Sequence, residues 1–145
     1  MSTREQDHYL WSVETARALR QGDLEHIDTL ALAEELEQVS RADAHELDSR
    51  IAQILEHLLK LRLIAGQTLR YNQIAWRESV RRQQGEIESL VETSPSLKRR
   101  LTADVLAKCY QRAVRVVAGA FEVTPPADCP FGWTEILGGD GGNEG

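Results

Sequence analysis

Lys60, Arg62, Arg70, Arg77, Arg81 and Arg82, interleaved with Tyr71 and Trp76, are the residues whose types and spacing come nearest to a chemistry. Cationic side chains neutralise phosphates, and aromatic rings between them offer unpaired bases a stacking surface. Lys98, Arg99 and Arg100 extend the basic run. Against that use stands a formal net charge of −6 and a pI near 5.2, because nucleic-acid modules are commonly basic. The charge is also unevenly placed. Residues 1–59 hold 13 acidic and 5 basic side chains, whereas residues 60–115 hold 12 basic and 5 acidic ones. Such halves either present two opposite patches or pack together and neutralise each other, and the second is the commoner arrangement.

Other constellations are thinner. His57 lies in LEHLLK beside the apolar Leu58 and Leu61. An imidazole there could act as ligand or base near neutral pH, but the commoner reading is a polar residue hydrogen-bonded at a core edge. Glu34, Glu35 and Glu37 form an acidic cluster. A di-metal site in a helical bundle needs Glu-x-x-His on two helices plus further Glu residues. Only Glu5-x-x-His8 has that spacing, with Asp23-x-x-His26 a weak second. No metal or cofactor is therefore expected, and Glu35 is expected to pair with an arginine of the basic half. Cys109 and Cys129 lack the CxxC or HxxxH companions of a zinc site; two reduced thiols are expected, with Cys109 in the core and Cys129 in a loop. His45-Glu46 is followed by Ser49 where a zincin would place its second histidine, and neither a phosphate loop nor a Gly-x-Ser-x-Gly elbow is present. Catalytic residues stay unassigned, and an enzyme is the less favoured reading.

The elements that position these residues are helical. Leu32, Leu36, Val39, Asp43, Leu47, Ile51, Ile54, Leu58 and Leu61 recur at steps of three or four. That periodicity predicts one helix over residues 28–63, roughly 50 Å long. Ser40 and Asp43 resemble a capping box, but the stripe keeps its phase and continuity is favoured over a kink. A first helix is expected over 6–21, with Tyr9, Leu10, Val13, Ala16 and Leu19 inward and Gly22 closing it. A third is expected from Leu69 or Gln73 to Glu92, with Gly85 marking a close helix contact. A fourth is expected over 95–123, with Ser94 as N-cap and Pro95 at its first position. Pro125-Pro126 ends it, residues 127–137 form a compact hook with one helical turn, and the glycine-rich residues 138–145 are expected to be disordered. The result is an all-α fold, an antiparallel bundle of about four helices with one very long helix and a short C-terminal hook. Residues 1–137 form its single domain.

LAEELEQVSR, HELDSRI, LEHLLKLR, WRESVRRQ, SPSL and CPFGWTEIL, taken in order, resemble the bacterial family known as domain of unknown function 29, DUF29. The similarity extends from about Asp7 to Leu137. It implies a small all-helical bacterial protein, abundant in cyanobacteria, and carries no activity or site residues with it. Members tend to continue into an acidic tail containing Phe and Pro, which Gly138 to Gly145 replace here.

No apolar run approaches membrane length, the longest in the fourth helix being 116–121. The polar residues 1–7 carry no export signal, so a cytoplasmic location is expected. The functional expectation is a non-enzymatic protein that acts by contact, as a homodimer or on a partner protein, because a long amphipathic helix can leave part of its stripe uncovered. The alternative from another class is a nucleic-acid-associated regulator using the basic 60–100 segment. An enzyme would have to gather Glu35, His57 or Cys129. The candidate functional surface is thus Glu35, His57, Trp76, Arg77, Arg81 and Arg82.

Overall fold

A computed structural model describes residues 2–139. Its elements are five α-helices, α1 (His8–Gln21), α2 (Thr29–Leu63), α3 (Gly66–Thr93), α4 (Ala103–Ala120) and α5 (Trp133–Leu137), with 3-10 stretches at Leu24–His26 and Pro95–Arg100. No strand occurs among the described residues. The fold is all-α. Of the glycine tail, residues 140–145 lie outside the described range. Gly138 is not loose chain: it adopts φ 75° and closes α5, its N–H donating to the Thr134 carbonyl at 2.9 Å.

The chain forms two compact units that divide between Asp43 and Ala44. In the N-terminal unit, the Asp7 carboxylate accepts from the Leu10 N–H and starts α1. Gly22 at φ 73° ends the helix, and the Asp23 N–H reaches back to the Ala18 carbonyl at 2.9 Å. The buried side of α1 is Trp11, Thr15 and Ala18. This corrects the inward face expected from spacing: Tyr9, Leu10, Val13 and Leu19 are all exposed. The apolar pattern of α1 fits two faces, and the bulkiest side chain, Trp11, decides which is buried. Asp28 caps α2 by accepting from the Ala31 N–H. The helix then continues unbroken through Ser40, whose hydroxyl donates to the Leu36 carbonyl instead of capping a new start.

The C-terminal unit is built around Leu47, Ile51, Ile54, Leu55 and Leu59 of α2, all with no exposed surface. They pack with Val80 and Ile87 of α3, Cys109, Tyr110, Ala113 and Val117 of α4, and Phe131 and Ile136 from the end of the chain. Helix α3 runs antiparallel to this part of α2: Gln83 bonds Arg50 and Gln53, whereas Lys60 lies over Trp76. Helix α4 returns in the direction of α2, with Cys109 beside Asp48 and Phe121 beside Lys60. The Tyr110 hydroxyl, buried in this core, donates to the Pro126 carbonyl at 2.6 Å and fixes the hook.

Two boundaries differ from the sequence expectation. Helix α3 starts at Gly66 (φ 69°), not at Leu69 or Gln73. Pro95–Arg100 is 3-10 and Ser94 makes no side-chain cap; α4 begins only at Ala103, with the Thr102 hydroxyl accepting from the Val105 N–H at 3.2 Å. Arg100, the last residue of the 3-10 stretch, pairs with Asp48 at 2.7 Å. Nor does Gly85 mark a close helix contact, since open space surrounds the position of its missing Cβ.

Candidate interaction surfaces

The basic residues separate according to helix phase. On α3, Trp76, Ser79, Val80, Gln83 and Ile87 form the buried face. Arg70, Tyr71, Ile74, Glu78, Arg81 and Arg82 lie opposite, with Arg77 nearest the margin. Tyr71 is 79% exposed and Ile74 67%. Gln67, Arg70 and Tyr71 line a shallow, open depression of about 220 Å³.

Trp76 is not part of this surface. Its ring meets Phe121 edge-on at 6.2 Å, with the Lys60 ammonium 5.7 Å from its centroid. Lys60 also lies over Phe121, Arg62 over Phe131 at 5.7 Å, and Arg100 binds Asp48. Three of the basic groups are therefore engaged within the unit. Arg70, Arg77, Arg81 and Arg82 are exposed and take part in none of the ion pairs among the described residues.

A polar layer that sequence reading missed spans α2 and α3. Arg50 holds Glu46 at 3.0 Å, Gln83 at 2.8 Å and Glu86 at 3.7 Å, while the Gln83 amide donates to Gln53. Gln83 is buried, so its amide needs these partners. Its place on the buried face, seven residues after Trp76, was the available signal.

The N-terminal unit carries a different surface. Arg4 donates to Glu34 at 2.6 Å and to the Ala31 carbonyl at 2.7 Å, and lies 3.7 Å from Glu35. Glu35 also meets His8 Nε2 at 3.1 Å. The arginine expected from the basic half is thus replaced by Arg4, only 31 positions away in the same unit. Around this cluster the apolar exposure is large. Tyr9, Leu10 and Val13 project from α1, and Leu30, Leu36 and Val39 from α2. Glu37, Arg41 and Asp43 lie within four residues of Leu36 or Val39 along α2 and join none of the ion pairs among the described residues.

Residues 4–140 match the family model of the domain of unknown function DUF29. The chain belongs to the DUF29 family. No curated protein and no solved structure matches it.

Chemically reactive groups in this DUF29 chain are dispersed or engaged. His57 Nδ1 bonds the Gln53 carbonyl of its own helix at 2.8 Å, and His26 bonds Asp23 at 2.8 Å. Among the described residues no group of three or more His, Cys, Asp or Glu side chains could hold a metal ion. Both cysteines are free thiols. Burial, aided by the Asp48 charge, pushes Cys109 up to about 11, and burial also raises Cys129. Neither thiol is a thiolate near neutral pH. Each of the three groups named from the sequence has its own local partner: Glu35 serves Arg4 and His8, His57 its own helix, and Cys129 donates to the Phe131 carbonyl at 3.4 Å. Among the described residues no helix is long and apolar enough to cross a membrane.

Proposed function

We propose that this DUF29 protein works by protein–protein contact rather than catalysis, in the cytoplasm, through the apolar surface of its N-terminal unit. One observation carries the reading. Eight of the eleven exposed large hydrophobic side chains belong to residues up to Val39: Tyr9, Leu10, Val13, Leu19, Leu24, Leu30, Leu36 and Val39. Single exposed apolar residues are normal, but a concentration of them rimmed by charge marks a contact surface. Leu36 and Val39 continue the positional stripe of Leu47 and Ile54, which is fully buried further along the same helix.

Sedimentation equilibrium of the wild type and of Leu36→Lys/Val39→Lys tests this. The wild type should associate with rising concentration, while the double variant stays monomeric with unchanged helical circular dichroism. A wild type that is monomeric throughout, and that yields no cross-linked peptide of any second chain from a photoreactive group at position 36, refutes the reading.

The exposed Arg70, Tyr71, Arg77 and Arg81 favour a second reading, nucleic-acid binding. It requires retention of a labelled single strand that weakens steeply with salt and disappears when Arg77, Arg81 and Arg82 lose their charge. Binding that is absent or indifferent to salt removes it.

A further inference from the structure

We infer that the partner of the N-terminal apolar surface is the outer face of α3 on a second copy of this chain. The inference rests on the contact reading above and names its occupant. Like cannot pair easily with like here. Residues up to Asp43 hold ten acidic and four basic side chains, so two N-terminal units placed face to face would repel. Their complement must be basic and apolar together.

The outer face of α3 has that composition. Tyr71 and Ile74 form its exposed apolar centre, and Arg70, Arg77 and Arg81 lie within one or two turns of them. Over residues 66–84 Glu78 is the single acid among four arginines. On the N-terminal unit, Leu36 and Val39 form an exposed apolar pair with Asp43 on the same face of α2 and Glu37 round the side of the helix. Each surface thus has two large apolar side chains. The α3 face sets its arginines against one acid, Glu78, and the N-terminal one sets Glu37 and Asp43 against Arg41, so the net charges are opposite in sign. Lys60, Arg62 and Arg100 are engaged within their own unit. Lys98, Arg99, Lys108, Arg112 and Arg115 are exposed as well, but only the α3 arginines accompany a pair of exposed large apolar side chains, Tyr71 and Ile74.

The contact joins two different patches; in a reciprocal two-fold pair it occurs twice, and the interface as a whole is isologous. The α3 face is roughly 28 Å long over these residues. Using it twice brings two modest helical faces toward the roughly 1,200 Å² of a specific interface.

A charge-swap mixing experiment reads the pairing directly. One variant carries Arg77→Glu/Arg81→Glu, the other Glu37→Arg/Asp43→Arg. No ion pair among the described residues uses these four side chains, so each variant should keep wild-type circular dichroism and melting. Each alone should be monomeric at concentrations where the wild type associates. Their equimolar mixture should recover the wild-type mass, because every contact between unlike copies again joins acid to base. Wild-type association should also weaken about tenfold or more at about 1 M salt. A mixture that stays monomeric, or either variant associating alone like the wild type, overturns the inference. If Leu36→Lys/Val39→Lys abolishes association while the swapped variants keep it, this partner is wrong and the contact function stands. A photoreactive group at position 36 that cross-links α3 of a second copy supports it; one that cross-links a different protein removes it.

Discussion

Leu36 and Leu47 belong to one helix and one apolar stripe, and their truncation to alanine should have very unequal consequences. Leu47 has no exposed surface and sits in the core of the C-terminal unit. Removing three carbons there costs about 2.4 kcal/mol of transfer free energy at ~0.8 kcal/mol each. The incompletely collapsed cavity adds roughly 1 kcal/mol, which places Leu47→Ala near 3–4 kcal/mol. Leu36 is 60% exposed. At most about 1 kcal/mol of burial is at stake, no closed cavity forms, and the better helix propensity of alanine offsets part of the loss. Leu36→Ala should therefore shift stability by about 0.5 kcal/mol or less. Urea unfolding by circular dichroism, run below the association range because self-association adds apparent stability, measures both. Amide exchange at Ile51, Ile54 and Leu55 localises the Leu47 effect to its own unit. Equal losses for the two variants, or a Leu47→Ala cost below about 1 kcal/mol, would refute the placement of one leucine in a core and the other on a surface.

Thr102→Ala should cost about 1 kcal/mol because it removes the hydroxyl that accepts from Val105, whereas Ser94→Ala should be nearly neutral; thermal melts of the two variants decide between them. Tyr110→Phe should lose about 1–2 kcal/mol, since the Pro126 carbonyl is left without its 2.6 Å donor, and exchange protection should fall first around residues 121–132. Cys109 keeps its proton in the fold up to about 11, while an unfolded cysteine releases it near 9. Its contribution is complete below pH 9 and is lost as pH rises through 11, so Cys109→Ala should flatten that alkaline fall in urea stability. Identical alkaline slopes in wild type and variant would count against a buried thiol.

The helices were legible in the sequence because each rests on local physics. The step-of-three-or-four stripe fixes α2, and Gly22 ends α1 through its left-handed conformation. What escaped was the choice between faces of comparable hydrophobicity. In α1 the Tyr9–Leu10–Val13 face carries as much apolar surface as Trp11–Thr15–Ala18, and only tertiary packing prefers the second. The start of α4 escaped for a similar reason. Ser94-Pro95 is a sound local start signal, but the chain that follows is held by Arg100 against Asp48, more than fifty residues earlier, and folds as 3-10 until Thr102.

The candidate surface was half legible, and the dividing line is physical. Phase along α3 was sufficient to separate Tyr71 from Trp76: five residues at about 100° each place the two rings roughly 140° apart, so they cannot belong to one stacking platform. The same phase gathers Arg70, Ile74, Glu78, Arg81 and Arg82 with Tyr71 and leaves Arg77 at the margin. It could not reveal how many cations remain available, because that depends on distant aromatics. Lys60 and Arg62 find their aromatic partners only once Phe121 and Phe131 return from sixty or more residues later. A basic segment in a sequence therefore measures the charge a helix brings into the fold, and the charge it presents to a partner is what the aromatic and acidic side chains of the tertiary structure leave over. On α3 that remainder is four arginines and one acid, Glu78, around an exposed tyrosine and isoleucine, a net charge opposite in sign to that of the residues up to Asp43, which carry Leu36 and Val39.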